Sequence, residues 1–454
     1  MATQTSQSTP PESTVVEVQH VNRWRELLTS EDWWAVWIGF ILIVGAAAGW
    51  IGKVPKLGKW DTNPLDVFYS GDQSLWIPLL LTMLGLGLLF TVANRLIRGR
   101  VGAYPLGYLV VFTLATVSYL LAHQLQVSAY GLGYAFWALL IGLLISNTIG
   151  TPKWLLEGSC CETYIKTGLV LLGAEILFSK ILALGGPGLL VAWVVTPIVI
   201  IFMFNFGVKV LKMKSKALTI VIAAATSVCG VSAAIATAAA SRARKNELAL
   251  AVGMTLIFTV LMMIFMPMLI KGVGMDPIVG GAWMGGTIDA TGAVVAAGAF
   301  LGEDAEKVAA VVKMIQNVLI GLVAFVVAVY WTTNVERTKG APRVPAMEIW
   351  YRFPKFIVGF VAASLVFSFI LVPSMGLEAV EAEVLKPVTV KLRGWLFCMA
   401  FVSIGLESNF KELASQMAGG KPMILYVVGQ SFNLILTLLM AWLAFGGVLF
   451  DKVF

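Results

Sequence analysis

Runs of about twenty apolar residues recur along this chain, and they constrain its fold more than any other feature. Roughly twenty helical residues cross a ~30 Å hydrocarbon core. Stretches of that kind occupy Trp33–Trp50, Leu75–Leu96, Pro105–Leu125, Tyr130–Ile149, Tyr164–Leu184, Leu189–Val210, Leu248–Ile270, Val308–Trp331, Phe356–Val372, Gly394–Gly405 and Met423–Phe445. The chain is 59% hydrophobic and 13% charged, against about 25% charged in an ordinary soluble domain. It therefore reads as an all-α polytopic membrane protein with about 11 full spans. Residues 1–32 read as a cytoplasmic, largely disordered N-terminus with an interfacial helix at "NRWRELLTSEDWW", and residues 33–449 as one transmembrane domain. The start lacks the basic and apolar regions of a signal peptide, so it is expected to be retained.

What remains of the composition excludes several classes. A net charge of +7 finds its reason in loops flanking membrane helices rather than in a nucleic-acid partner. Cys160, Cys161, Cys229 and Cys398 have no metal-ligand spacing, and His20 and His123 are the only imidazoles, so no metal or cofactor is expected. There is no phosphate-binding glycine loop, dinucleotide fingerprint or zinc-peptidase motif.

Two further apolar stretches, Ala217–Ala240 and Pro277–Phe300, are interrupted by "TSVCGVS" and "GGTIDATG". Backbone at membrane depth leaves the helix only where protein or water satisfies its polar groups, so such breaks line cavities. The basic loops "NRLIRGR", "KVLKMKSK", "SRARKNE" and Arg337–Arg352 belong in the cytoplasm by the positive-inside rule, which also puts the N-terminus there. Two of them flank the first interrupted stretch, which favours re-entrant half-helices of about ten residues that turn at the midplane. Broken helices that cross are the alternative.

Half-helix N-termini present free N–H groups and a partial positive charge, which favour anions. In the first break the candidate substrate-binding residues are Thr226, Ser227, Cys229, Gly230 and Ser232. In the second they are Gly286, Thr287, Thr291 and Gly292. Asp289 is the one carboxylate, at a depth costing roughly 2.5–3.5 kcal/mol, and is the candidate site of a coupling proton or Na⁺. A half-helix cap or a permanent pair with a cation is its bland explanation. Lys313, Gln316 and Asn317 form one polar face on the next span; Lys313 either neutralises Asp289, contacts an anion, or snorkels to the surface.

"GLVLLGAEILFSKILALGGPG" and "AFVSIGLESNFKELASQMAGGKP" align Gly173 with Gly405, Glu175 with Glu407, Phe178 with Phe410 and Ile181 with Leu413. An odd number of crossings separates the copies, so they point in opposite directions, the mark of an inverted-repeat secondary transporter. Glu175 and Glu407 read either as a symmetric pair near the site or as helix ends facing water. Asn205, Gln430 and Asn433 follow the two copies and suit interhelical hydrogen bonds or substrate contact. "GAAAG" and "GLGLLF" permit close packing compatible with a homodimer.

With these pieces placed, "AATSVCGVSAAIATAAA", "WMGGTIDATGAVVAAGA" and "SIGLESNFKELASQMAGGKP" resemble a family of bacterial inner-membrane proteins assigned as sulfate exporters. That family is grouped with the bile-acid, arsenite and riboflavin transporters. The resemblance runs from about Ala138 to Ala444. It implies inverted repeats, two broken helices meeting near the midplane and spanning, and elevator-like alternating access. Many members carry His-Glu where this chain has Asp289-Ala290, followed by Val where it has Thr291, so one acid remains here, shifted by a residue.

The expected function is secondary active transport of a small anion, sulfate or an organosulfonate, across the bacterial inner membrane. The alternative is a Na⁺- or H⁺-coupled organic-acid carrier or a cation/proton exchanger. An intramembrane enzyme should show a nucleophile–base pair or a metal cluster, and none is visible in the sequence.

Overall fold

The computed structural model describes residues 23–70, 73–129, 133–176, 178–335, 350, 353–411 and 420–451. The expectations for the N-terminal segment before Arg23, the basic stretch 336–349 and Leu413 lie outside them, as does the side chain of Ile181. Among the described residues, eight helices are long and apolar enough to cross a membrane. They are α2 (Trp76–Arg98), α3 (Tyr104–Ala122), α6 (Leu182–Val210), α9 (Lys245–Gly272), α12 (Glu303–Val335), α13 (Lys355–Met375), α14 (Leu377–Glu407) and α15 (Lys421–Phe445). The chain is a multi-pass membrane protein.

Three expected spans are shorter helices: α1 (Glu31–Ala47, 17 residues), α4 (Tyr134–Thr148, 15 residues) and α5 (Cys161–Glu175, 15 residues). Fifteen residues rise about 22 Å, less than the hydrocarbon thickness. The stretch Tyr164–Leu184 is cut because Ile176 adopts an extended backbone (φ −105°, ψ 105°) that ends α5. Its remainder instead joins α6.

The interrupted stretches form four half-helices: α7 (Lys216–Ser227), α8 (Gly230–Ala240), α10 (Pro277–Thr287) and α11 (Thr291–Leu301). At the first break Val228 and Cys229 leave the helical region, and Gly230 follows at φ +27°. A Cβ on Gly230 would sit 2.6 Å from Thr255 and 3.0 Å from the Asp289 carbonyl oxygen, so strain and a clash both require glycine. Ala217, at the start of α7, and Ala240, at the end of α8, pack against the same cluster of Ile220, Val327 and Trp331.

The second break is extended at Ile288 and Ala290, and its arms also share a base. A Cβ on Gly281 of α10 would lie 2.6 Å from the Ala305 carbonyl oxygen, and one on Gly298 of α11 would lie 2.8 Å from the Glu306 Cα. Along α10, Gly285 meets Ala309 as Gly281 meets Ala305. The arm therefore runs parallel to α12, backbone against backbone.

Contacts divide the helices into two bundles. One holds α1–α5, α13 and α14; the other holds α6–α12 and α15. The principal contact between them is α11 against α4, α5 and α14, with a smaller one between α13 and the residues leading into α6. Within the first bundle α5 and α14, which carry the aligned positions Gly173 and Glu175, Gly405 and Glu407, run antiparallel. Glu175 at the end of α5 meets Arg393 in α14, while Ile165 and Ile404 both approach Gly292.

Candidate functional site

The two breaks face one another in the second bundle, and two helices tie them together. On α12, the Gln316 amide Nε2 donates to the Ser227 carbonyl and to the Gly286 carbonyl, each at 3.0 Å. One side chain thus closes the C-terminal ends of α7 and α10. Lys313 Nζ donates to the Val228 carbonyl at 2.8 Å and to Gln316 Oε1, and Asn317 Nδ2 donates to Thr291 Oγ1 at 3.0 Å. From α15, Gln430 Nε2 donates to the Thr287 carbonyl at 3.2 Å and Asn433 Nδ2 to the Thr226 carbonyl at 3.2 Å. Thr196 of α6 adds a hydroxyl bond of 3.0 Å to the Ser227 carbonyl.

These bonds have a common logic. A helix end leaves its last carbonyls without partners, and burial makes that costly. Here side-chain donors satisfy the carbonyl ends of α7 and α10. The opposite ends, the N-termini of α8 and α11, begin beside one another: Cys229 Sγ lies 3.8 Å from Thr291 Oγ1. Their first-turn N–H groups and partial positive charge are the features that receive anions.

Asp289 is 1% exposed and accepts a hydrogen bond from the Tyr426 hydroxyl. It caps neither half-helix: Ala290 holds the N-cap position of α11, with no side-chain cap. Lys313 is also 1% exposed. It turns inward to carbonyl groups instead of snorkelling, and among the described residues neither it nor Asp289 joins an ion pair. Three buried oxygens around the second break have no partner among the described residues: Thr287 Oγ1, Asn317 Oδ1 and Gln430 Oε1.

The expected site residues therefore divide. Thr226, Ser227, Cys229, Gly230, Gly286, Thr287, Asp289, Thr291, Lys313, Gln316, Asn317, Gln430 and Asn433 come together at the two breaks. Thr226 and Ser227 contribute differently than expected. Their hydroxyls bond back to the carbonyls of Ile222 and Ala223, the usual habit of buried helical hydroxyls, so they offer carbonyls rather than hydroxyl donors. Ser232 lies in the first turn of α8 and is exposed, without a bond to the second break. Gly292 faces the other bundle, close to Ile165 and Ile404.

Asn205 is away from the site: it is partly exposed and, among the described residues, donates only to Ile201 in its own helix. Glu175 and Glu407 do not form a symmetric pair. Glu175 is buried against Arg393, because a carboxylate removed from water needs a cation, while Glu407 is exposed at the end of α14. The sequence reading missed Tyr426 and Thr196. An aromatic residue or a threonine within an apolar span carries no local signal, although Tyr426, Gln430, Asn433 and Thr437 share one helical face.

Comparison with known proteins comes to the same membrane class. The family model described as Conserved hypothetical protein 698 matches residues 106–426. A UPF0324 membrane protein of Rhodopirellula baltica is 47% identical over 95% of this chain and 92% of its own length. One of Nitratidesulfovibrio vulgaris is 56% identical over 88% of this chain and 69% of its own length. One of Nitrosomonas europaea is 30% identical over 88% of this chain and 92% of its own length. No solved structure matches.

Proposed function

We infer a transport function for this chain, which belongs to the Conserved hypothetical protein 698 family. The proposed activity is secondary active transport of a small oxyanion, sulfate or an organosulfonate first, across the bacterial inner membrane. The observation that carries it is the pairing at the two breaks: carbonyl ends closed by Gln316, Gln430 and Asn433, amide ends left together beside Cys229 and Thr291. An oxyanion there would accept bonds from the first turns of α8 and α11, with Lys313 balancing its charge.

The remaining features support the mechanism. Arms that return to one base suit two re-entrant half-helix pairs, with "KVLKMKSK" and "SRARKNE" together on the cytoplasmic side. Antiparallel α5 and α14 suit inverted repeats. Two bundles joined mainly through α11 suit alternating access, in which the bundle bearing the breaks moves past the other. Asp289 would take the coupling ion. A bound dianion and an ionised Asp289 repel, so the loaded state would hold a protonated Asp289.

A second reading draws on the unpartnered oxygens of Thr287, Asn317 and Gln430 near Asp289, a donor set suited to a hard cation. On that reading the chain is a Na⁺-coupled organic-acid carrier or a cation/proton exchanger. Sulfate flux into proteoliposomes, measured against pH and Na⁺, tests both. Proton-coupled anion transport predicts flux whose pH dependence disappears in Asp289→Asn; an unchanged pH profile rejects it. Flux that requires Na⁺ and loses that requirement in the same variant selects the second reading.

A further inference from the structure

A cavity of about 840 Å³ opens at the seam between the bundles, apart from the two breaks. The first bundle and its loops contribute Lys53, Lys56, Tyr119, Lys391, Arg393 and Trp395. The second contributes Ala299, Glu303 and Glu306, at the base of the α10–α11 hairpin. Arg393 and Glu306 belong to a buried triad: Arg393 Nε donates to Glu175 Oε1 at 2.7 Å, and Arg393 Nη1 bonds Glu306 Oε1. This triad joins the bundles, since Glu306 lies on α12 and the other two lie on α14 and α5.

The charges of this cavity do not cancel. Glu303 is paired with Lys307 at 2.8 Å and Lys386 with Glu381 at 2.8 Å. Lys53, Lys56 and Lys391 have no carboxylate partner among the described residues. Burial lowers the His123 pKa below its ordinary value, opposed by its bonds to the Gly58 and Leu57 backbone and aided by the repulsion of Lys56 and Lys59. With both carboxylates ionised the triad carries at most one net negative charge, which leaves at least two of the three ammonium charges uncompensated.

Like charges facing one concave space repel, and a low-dielectric wall strengthens their field toward a counter-ion. We propose that this cavity is a vestibule that binds a small dianion through Lys53, Lys56 and Lys391. Tyr119, Trp395 and the paired Arg393 also line it.

Its position gives it a use, which rests on the anion-transport reading. Ala299 lies seven residues along α11 from Gly292, about 10 Å at the helical rise. Beside Gly292 lie Ile165 and Ile404, 3.2 and 3.3 Å from where a Cβ on that glycine would sit. A dianion held in the vestibule is therefore one arm of the hairpin away from the facing half-helix ends.

The test is equilibrium binding of radiolabelled sulfate and of malonate to the full chain in nanodiscs, at low and at raised ionic strength. The Lys53→Gln, Lys56→Gln, Lys391→Gln triple variant should lose the salt-sensitive binding component, with affinity weakened at least about tenfold. The corresponding triple arginine variant keeps the charge and should stay within about threefold of the wild type; it also controls for folding. Undiminished binding in the glutamine variant, or no salt-sensitive binding of either probe by the wild type, overturns the vestibule. Absence of sulfate flux with vestibule binding intact rejects the transport reading and leaves the vestibule standing.

Discussion

Single residues in this molecule earn their place by the polar groups they satisfy. Gln316 is the clearest case, since one amide serves carbonyls on both breaks. Gln316→Leu removes both bonds; Ser227 keeps the Thr196 hydroxyl, but the Gly286 carbonyl loses its side-chain donor, and a buried unsatisfied group costs about 1–3 kcal/mol. The variant should therefore lose about that much stability in a mixed-micelle unfolding titration. Asn205→Leu removes only an exposed bond to its own helix and should stay within about 0.5 kcal/mol of the wild type. Equal losses in the two would mean that the amide does not hold the breaks together. Asp289 illustrates what a sequence makes visible at this scale. A lone carboxylate among glycines in an apolar run announces itself, whereas its partner Tyr426 does not, because tyrosine in a span is ordinary. The Glu175–Arg393–Glu306 triad stayed hidden for another reason. Its members are 218 and 87 residues apart in the chain, so no spacing rule links them.

At the level of elements, the positions of both breaks were legible because glycine, hydroxyl and carboxylate residues interrupt apolar runs only where the backbone has other partners. Helix ends within uniformly apolar sequence were less so. Ile176 ends α5 without glycine or proline to signal it, and α4 and α5 come out shorter than the hydropathy of their surroundings suggests. How the arms pack was partly legible: the glycines of "GGAWMGG" lie at helical spacing and permit close approach, but not to which helix. The structure supplies the partner. A Cβ on Gly285 would lie 2.7 Å from the Ala309 carbonyl oxygen, and rigid backbone cannot yield as a side chain would. Gly285→Ala should then destabilise the folded protein by about 1–3 kcal/mol, as overpacking does. Gly85→Ala, in α2 with nothing within 4 Å of the added Cβ, should be neutral or slightly stabilising. A thermal unfolding series of the two variants in detergent decides it; matched midpoints would remove the backbone contact as a determinant of the hairpin.

For the whole molecule, what matters is which ends of the helices lie together. Ala217 and Ala240 share one packing cluster, which suits loops before α7 and after α8 that leave from the same end. The 28-residue α9 rises about 42 Å, enough to carry the chain to the opposite end. There the base of the second hairpin is fixed by Gly281 and Gly298 against Ala305 and Glu306. Charge placement alone pulled toward this arrangement, while the family resemblance pulled toward broken helices that cross. The two differ in one measurable respect. In a chain whose four cysteines are replaced, Lys214→Cys and Lys245→Cys should react with a membrane-impermeant maleimide from the same side of oriented vesicles. Glu303→Cys should react from the other. A crossing α7–α8 segment would separate Lys214 from Lys245, because one passage through the bilayer would lie between them. Labelling from opposite sides would thus overturn the returning hairpin, and with it the argument that two carbonyl ends and two amide ends meet at the same depth.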